Sequence, residues 1–206
     1  MGEGVIWAGV LAGGGFVAGA IALFSVGPAG LALSSLALGL GLGGVASLSA
    51  GPAGFACLAG VGVVAAGLVM LSGRFTRLDF SGTLIGTAVV ADRPRVFGLR
   101  SLRAILGALG LFTARLLSGH LAAGTVVTQG PAFACLFVFE VGLIRIGTGR
   151  GPADLALGSL CAGMAAAAFL LLSVPSSALA IALLAGGVPA VALVALARST
   201  PWETSS

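Results

Sequence analysis

Long apolar runs separated by very short polar joints dominate this chain, and the runs have membrane length. Crossing a bilayer as a helix takes about 20 apolar residues. Seven segments meet or approach that requirement: 4–24, 28–48, 52–72, 101–118, 124–146, 153–173 and 176–197. Residues 1–206 therefore read as one transmembrane domain. The predicted fold is all-α, a polytopic integral membrane helical bundle of about seven transmembrane helices. The joints carry Gly, Pro or Ser, and Pro28, Pro52 and Pro152 each follow a Gly and precede an apolar run. Proline suits the first helical turn, where its missing N–H costs nothing. Glu3 stands where a secretory signal would carry positive charge, so the first run is expected to be a retained span.

Residues 73–100 break the pattern, with five Arg and two Asp. They read as a basic cytoplasmic loop lying on the membrane surface. Residues 83–91 inside it are apolar and β-branched but too short to span as a helix. A short strand, a re-entrant piece and an interfacial segment all remain open for them. Positive charge favours the cytoplasmic side, which puts Arg74, Arg77, Arg93, Arg95 and Arg100 inside. Arg145, Arg150 and Arg198 then fall at inner joints, and the joints around 26, 120 and 174, which carry no Arg, are expected outside. The N-terminus is placed outside and the C-terminus in the cytoplasm, in a cell inner or plasma membrane.

Gly-Pro-Ala recurs at 27–29, 51–53, 130–132 and 151–153. Three spans precede the basic loop and three follow it, which suggests a 3+3 inverted repeat plus one further span. Glycines four residues apart, Gly15 with Gly19 and Gly39 with Gly43, mark faces for close helix packing.

Composition strengthens the membrane reading. Only 8% of residues are charged, against roughly 25% in soluble domains, and the mean hydropathy is +1.18. The net charge of +4 comes from scattered Arg with no basic run beside stacking aromatics, which argues against nucleic acid. The glycine runs have no strand around them with which to cradle a dinucleotide. Cys57, Cys135 and Cys161 each sit alone in an apolar span and read as small hydrophobes. No metal site or cofactor is expected, since His120 has no second His to join it.

Candidate chemistry concentrates in 101–147, a helical hairpin holding Arg103, Arg115, His120, Gln129, Glu140 and Arg145. Glu140 is the most informative, because an acid inside a span costs about 2.5–3.5 kcal/mol and so pairs or faces an interior. Placing the turn near Leu121 puts Arg103 and Glu140 at matched depth, which predicts an ion pair between them. Arg115 and His120 are expected near the outer turn. Gln129 and Pro131 should form a polar, kinked opening to the fifth span, with Pro131 freeing the carbonyl of Val127 and Pro189 doing the same for Ala185. The Asp residues are expected in cytoplasmic loops.

The segment GGGFVAG at 13–19 resembles a PGGGF element of small membrane subunits in multisubunit cation/proton antiporters, and LFVFEVG at 136–142 is similar to a later acidic-glycine element of the same subunits. The likeness covers under a tenth of the chain. Ala12 stands where that element has its leading Pro, and no family membership is drawn from it.

The function expected from the residues is a small transporter or channel-like permease, its polar lining drawn from the fourth and fifth spans. The substrate or ion path would comprise Glu140, Arg103, Arg115, Gln129 and His120. The alternative is a non-catalytic packing subunit of a larger membrane complex, such as an ion-translocating or respiratory-type assembly. Enzymatic activity is not expected. The expected partners are the lipid bilayer and either further copies of the chain or other membrane subunits.

Overall fold

The computed structural model describes the backbone of residues 2–75, 93–124, 129–148 and 152–173. These form five helices and no strand among the described residues: α1 (Gly2–Phe24), α2 (Gly27–Phe75), α3 (Arg93–Gly124), α4 (Gln129–Thr148) and α5 (Pro152–Ser173). All five are long and apolar enough to cross a membrane. The seventh apolar segment, 176–197, lies outside the described residues, as do 83–91 and Pro189. The 3+3 repeat involves that comparison of halves and is not established by the five helices.

The 49-residue α2 is two arms and not one rod. Gly51 breaks it with φ 62° and ψ −155°, a left-handed conformation that suits glycine, and Pro52 starts the second arm. The arms then fold back on each other. A Cβ on Gly62 would lie 2.6 Å from the Ser35 carbonyl oxygen, and one on Gly43 would lie 3.1 Å from that of Phe55. Each arm of about 24 residues is about 36 Å long, enough for a hydrocarbon core of about 30 Å.

Helix α4 is the hub, packing against α1, α3 and α5, while α2 closes the bundle between α1 and α5. In lipid, apolar side chains gain little from meeting one another instead of acyl chains, so close shape fit carries helix association. The contacts reflect this. A Cβ on Gly41 would sit 2.8 Å from the Gly14 carbonyl oxygen, and one on Gly142 would sit 2.7 Å from that of Gly158. Gly15 and Gly19 face Ala134, Phe137 and Val138 of α4. Phe16 stacks obliquely on Phe137, with ring centroids 4.8 Å apart. Leu38, Leu42, Val138, Val141, Leu160 and Met164 are buried in the common core.

Three sequence expectations change. Helix α3 begins at Arg93 and α2 runs to Phe75, so both edges of the basic stretch 73–100 are helical, and 76–92 lie outside the described residues. Pro131 lies in the first turn of α4, which begins at Gln129, so it opens the helix where no hydrogen bond is lost and does not kink it. The joint at Ser25, expected on the side without Arg, lies at the Arg-rich end, because Arg145 of α4 donates a hydrogen bond to the Ser25 carbonyl. One helix, α1, lies between residue 2 and Ser25, so this joint and the start of α1 are at opposite ends of the bundle.

Candidate functional site

The polar side chains of α3 and α4 form two separate sites, one at the Arg-rich end of the bundle and one near mid-depth. At the end, Asp154 receives two guanidinium groups. Arg145 Nη1 donates to Asp154 Oδ1 at 2.5 Å. Arg103 Nη2 lies 2.9 Å from Asp154 Oδ2, an electrostatic contact without hydrogen-bond alignment. Arg103 Nε donates to Thr148 Oγ1 at 3.1 Å, and the Thr148 hydroxyl donates in turn to the Ile144 carbonyl at 2.7 Å. Arg145 Nη2 reaches across to the carbonyl of Ser25 and to its Oγ, 3.0 Å away. Both arginines are buried, with 5% and 1% of their surface exposed.

Helix ends explain why two cations gather around one acid. Asp154 occupies the first turn of α5, where the positive end of the helix dipole favours an anion. Arg145 occupies the last turn of α4 and caps a carbonyl just beyond α1, so the negative ends of two helices offset the excess positive charge. Arg145 Nε is buried with no hydrogen-bond partner among the described residues.

The second site is smaller. Thr113 Oγ1 lies 2.8 Å and 2.7 Å from Glu140 Oε1 and Oε2. The same hydroxyl is 3.2 Å from the Leu109 carbonyl and 3.1 Å from the Gly110 carbonyl. Glu140 is half-buried in the groove between α3 and α4. A Cβ on Gly110 would lie 2.7 Å from Glu140 Oε2, so the carboxyl rests against α3 backbone at a position without a side chain.

The expected Arg103–Glu140 pair is therefore not formed. The hairpin turn lies beyond Leu121: α3 runs to Gly124 and α4 starts at Gln129. Thr113 is eleven residues before the end of α3 and Glu140 eleven after the start of α4, so these two share a depth. Arg103 lies ten residues before Thr113 on α3, about 15 Å away along the helix. Asp154 is also not a loop residue, since it opens α5 and its side chain is 22% exposed.

Of the remaining expected site residues, Arg115 and His120 are exposed on α3. Gln129 is exposed at the first residue of α4, beside Gly119. The structure does not bring these three to Glu140. Thr113, Gly110, Asp154, Ser25 and Thr148 were missed. Thr113 follows from the correct hairpin register, and Asp154 from its place just after a helix-starting proline. Cys135 and Cys161 are buried and Cys57 partly so, all as free thiols. No group of three metal-ligating side chains occurs among the described residues.

Among the described residues these features define an all-helical bundle whose helices are long and apolar enough for a membrane, with an ionic cluster at one end and an acid, Glu140, near the middle of α4. Comparison with protein-family models, with curated proteins and with solved structures finds no match.

Proposed function

We propose that the chain is a small multi-pass transporter of protons or small cations, with α3 and α4 supplying the polar lining and Glu140 the charge-carrying group. One observation carries this reading: Glu140 lies near the middle of α4 with a hydroxyl as its hydrogen-bond partner, while Arg103 and Arg145 are committed to Asp154 and Arg115 is exposed. An acid at that depth without a cation is expensive as plain architecture. Gln129 opens the same groove at the end opposite the ionic cluster, and the glycine faces hold the surrounding helices close. In this reading the N-terminus is outside and the C-terminus cytoplasmic.

The test is reconstitution into liposomes. Cation or proton flux should be present and should vanish in Glu140→Gln without loss of the folded state. Flux unchanged by that substitution rejects the role of Glu140. Cysteine labelling checks the threading: position 120 should react from outside and position 95 from inside.

A second reading, a packing subunit of a larger membrane assembly, is favoured by α3. This helix packs chiefly on α4 and exposes Leu102, Ile105, Leu109, Phe112 and Leu116. Purification in mild detergent separates the two readings: stoichiometric co-purifying chains support the subunit, a lone monodisperse species the transporter.

A further inference from the structure

We infer that the Glu140 carboxyl exchanges a proton and not a metal cation, with Gly110 and Thr113 as its positioning residues. The inference rests on the reading of Glu140 as the charge-carrying group and specifies what that group carries.

The oxygen supply weighs against a metal. Glu140 offers two oxygens and Thr113 one. The carbonyls of Leu109 and Gly110 are close to Thr113, but they lie inside α3 and accept the helix's own N–H groups four residues on. One carboxylate and one hydroxyl supply three oxygens and a single negative charge, so a hard cation such as Ca²⁺ or Mg²⁺ would draw most of its ligands from water and be held weakly, which the salt arm of the test reads directly.

The same atoms suit a proton in both states. Thr113 has one hydroxyl proton and four acceptors within reach. With Glu140 ionised, Thr113 donates to a carboxylate oxygen. With Glu140 protonated, its O–H donates to Thr113 Oγ1, and the Thr113 proton turns to the Gly110 or Leu109 carbonyl. Neither state leaves a donor unsatisfied, so the cost of an orphaned buried group is avoided throughout. Only an O–H bond forms and breaks, the proton being taken from water and returned to it.

Gly110 makes the geometry available, since any Cβ there would stand 2.7 Å from Glu140 Oε2. Ile144 closes another side, its Cδ1 lying 3.6 Å from that same Cβ position. Among the described side chains, the other charged groups on the neighbouring elements are engaged elsewhere or exposed, Arg100 of α3 among the exposed. Arg103 of α3 and Arg145 of α4 bind Asp154 of α5, Arg115 and His120 of α3 are exposed, and Cys135 and Cys161 are buried.

The test is infrared difference spectroscopy on the full chain in lipid bilayers, following the Glu140 carboxyl band, identified by its absence in Glu140→Gln, through a pH titration. The band should titrate, and excess sodium, potassium or calcium chloride at fixed pH should leave it unchanged. Thr113→Val should move the midpoint by about one pH unit, a tenfold change in proton affinity of the size expected for a hydrogen bond to a charged group. Thr113→Ser should restore it, and Gly110→Ala should move it too. A band that any of the three cations suppresses at fixed pH overturns the inference, as does a Thr113→Val midpoint equal to that of the unmodified chain. A cation-sensitive band with flux intact rejects the proton assignment alone. A cation-insensitive titration without flux rejects the transporter reading and leaves a proton-binding carboxyl.

Discussion

The two acids of the α3–α4–α5 region sit in opposite circumstances. Asp154 lies at a helix start, holds two buried arginines and is tied through Arg145 to the joint after α1. Glu140 lies in mid-helix and holds a threonine hydroxyl. Helix ends supply unpaired backbone groups and dipole ends that compensate charge, whereas the middle of a helix supplies neither. Charge near an end can be locked into architecture. Charge at mid-depth depends on side chains alone, and a single hydroxyl leaves its proton inventory adjustable.

The largest effect should come from breaking the locked site. Asp154→Ala leaves two buried guanidinium groups without their carboxylate, and loss of one partner of a buried pair costs about 3–5 kcal/mol. Thermal unfolding in detergent should report a loss of that order. Combining Asp154→Leu with Arg145→Met should recover part of it, because the pair is then removed together. Additive losses would show that Asp154 does not compensate Arg145.

Gly110→Ala should come next. The added methyl meets Glu140 Oε2 at 2.7 Å, which forces the carboxyl off α3. The carboxyl is the far end of a flexible side chain and can swing aside, so the loss should be about 1.5 kcal/mol, that of the hydrogen bond from Thr113 to a charged group. Gly60→Ala makes a matched control, since a Cβ there meets nothing within 4 Å and should not destabilise. Equal effects at both glycines would mean that backbone propensity, and not the carboxyl, sets the cost.

Ser25→Ala should be milder, at about 1 kcal/mol, because it removes only the bonds of Ser25 Oγ with Arg145 and with the Ala22 carbonyl, while the Ser25 carbonyl continues to accept from Arg145. A loss as large as that of Asp154→Ala would shift the weight of the lock from the ion pairs to the hydroxyl.

The contrast between the sites also explains how far the sequence could be read. Apolar run lengths and the Gly-Pro joints located the described helices, because both are local signals: run length reports bilayer thickness, and proline reports a helix start. Glu140 and Arg103 stood out for the same reason, as charges in apolar surroundings. Their partners were not local. Placing the hairpin turn at Leu121 instead of beyond Gly124 shifted the register by several residues and replaced Thr113 with Arg103 as the neighbour of Glu140. Asp154 looked like a loop residue because its joint is polar, yet Pro152 starts the helix two residues earlier. Nothing in the hydropathy pattern indicates that α1 ends beside α4, which is what brings Ser25 to Arg145.

The smallest stability effect is expected for the amide exchange at Glu140, and setting it beside the same exchange at Asp154 is the sharpest use of the comparison. Glu140→Gln keeps the shape of the side chain and can still accept from Thr113 through its carbonyl or donate to it through its NH₂. It removes a charge that no cation balances, so stability should change by less than about 1 kcal/mol. Asp154→Asn has the same chemistry but removes the anion that Arg103 and Arg145 share, and it should cost several times more. Unfolding temperatures of the two variants under identical detergent conditions give the ratio directly. If Glu140→Gln were as damaging as Asp154→Asn, the mid-depth acid would be a structural clamp with a cationic partner, and the division between a locked end and an adjustable middle would fall.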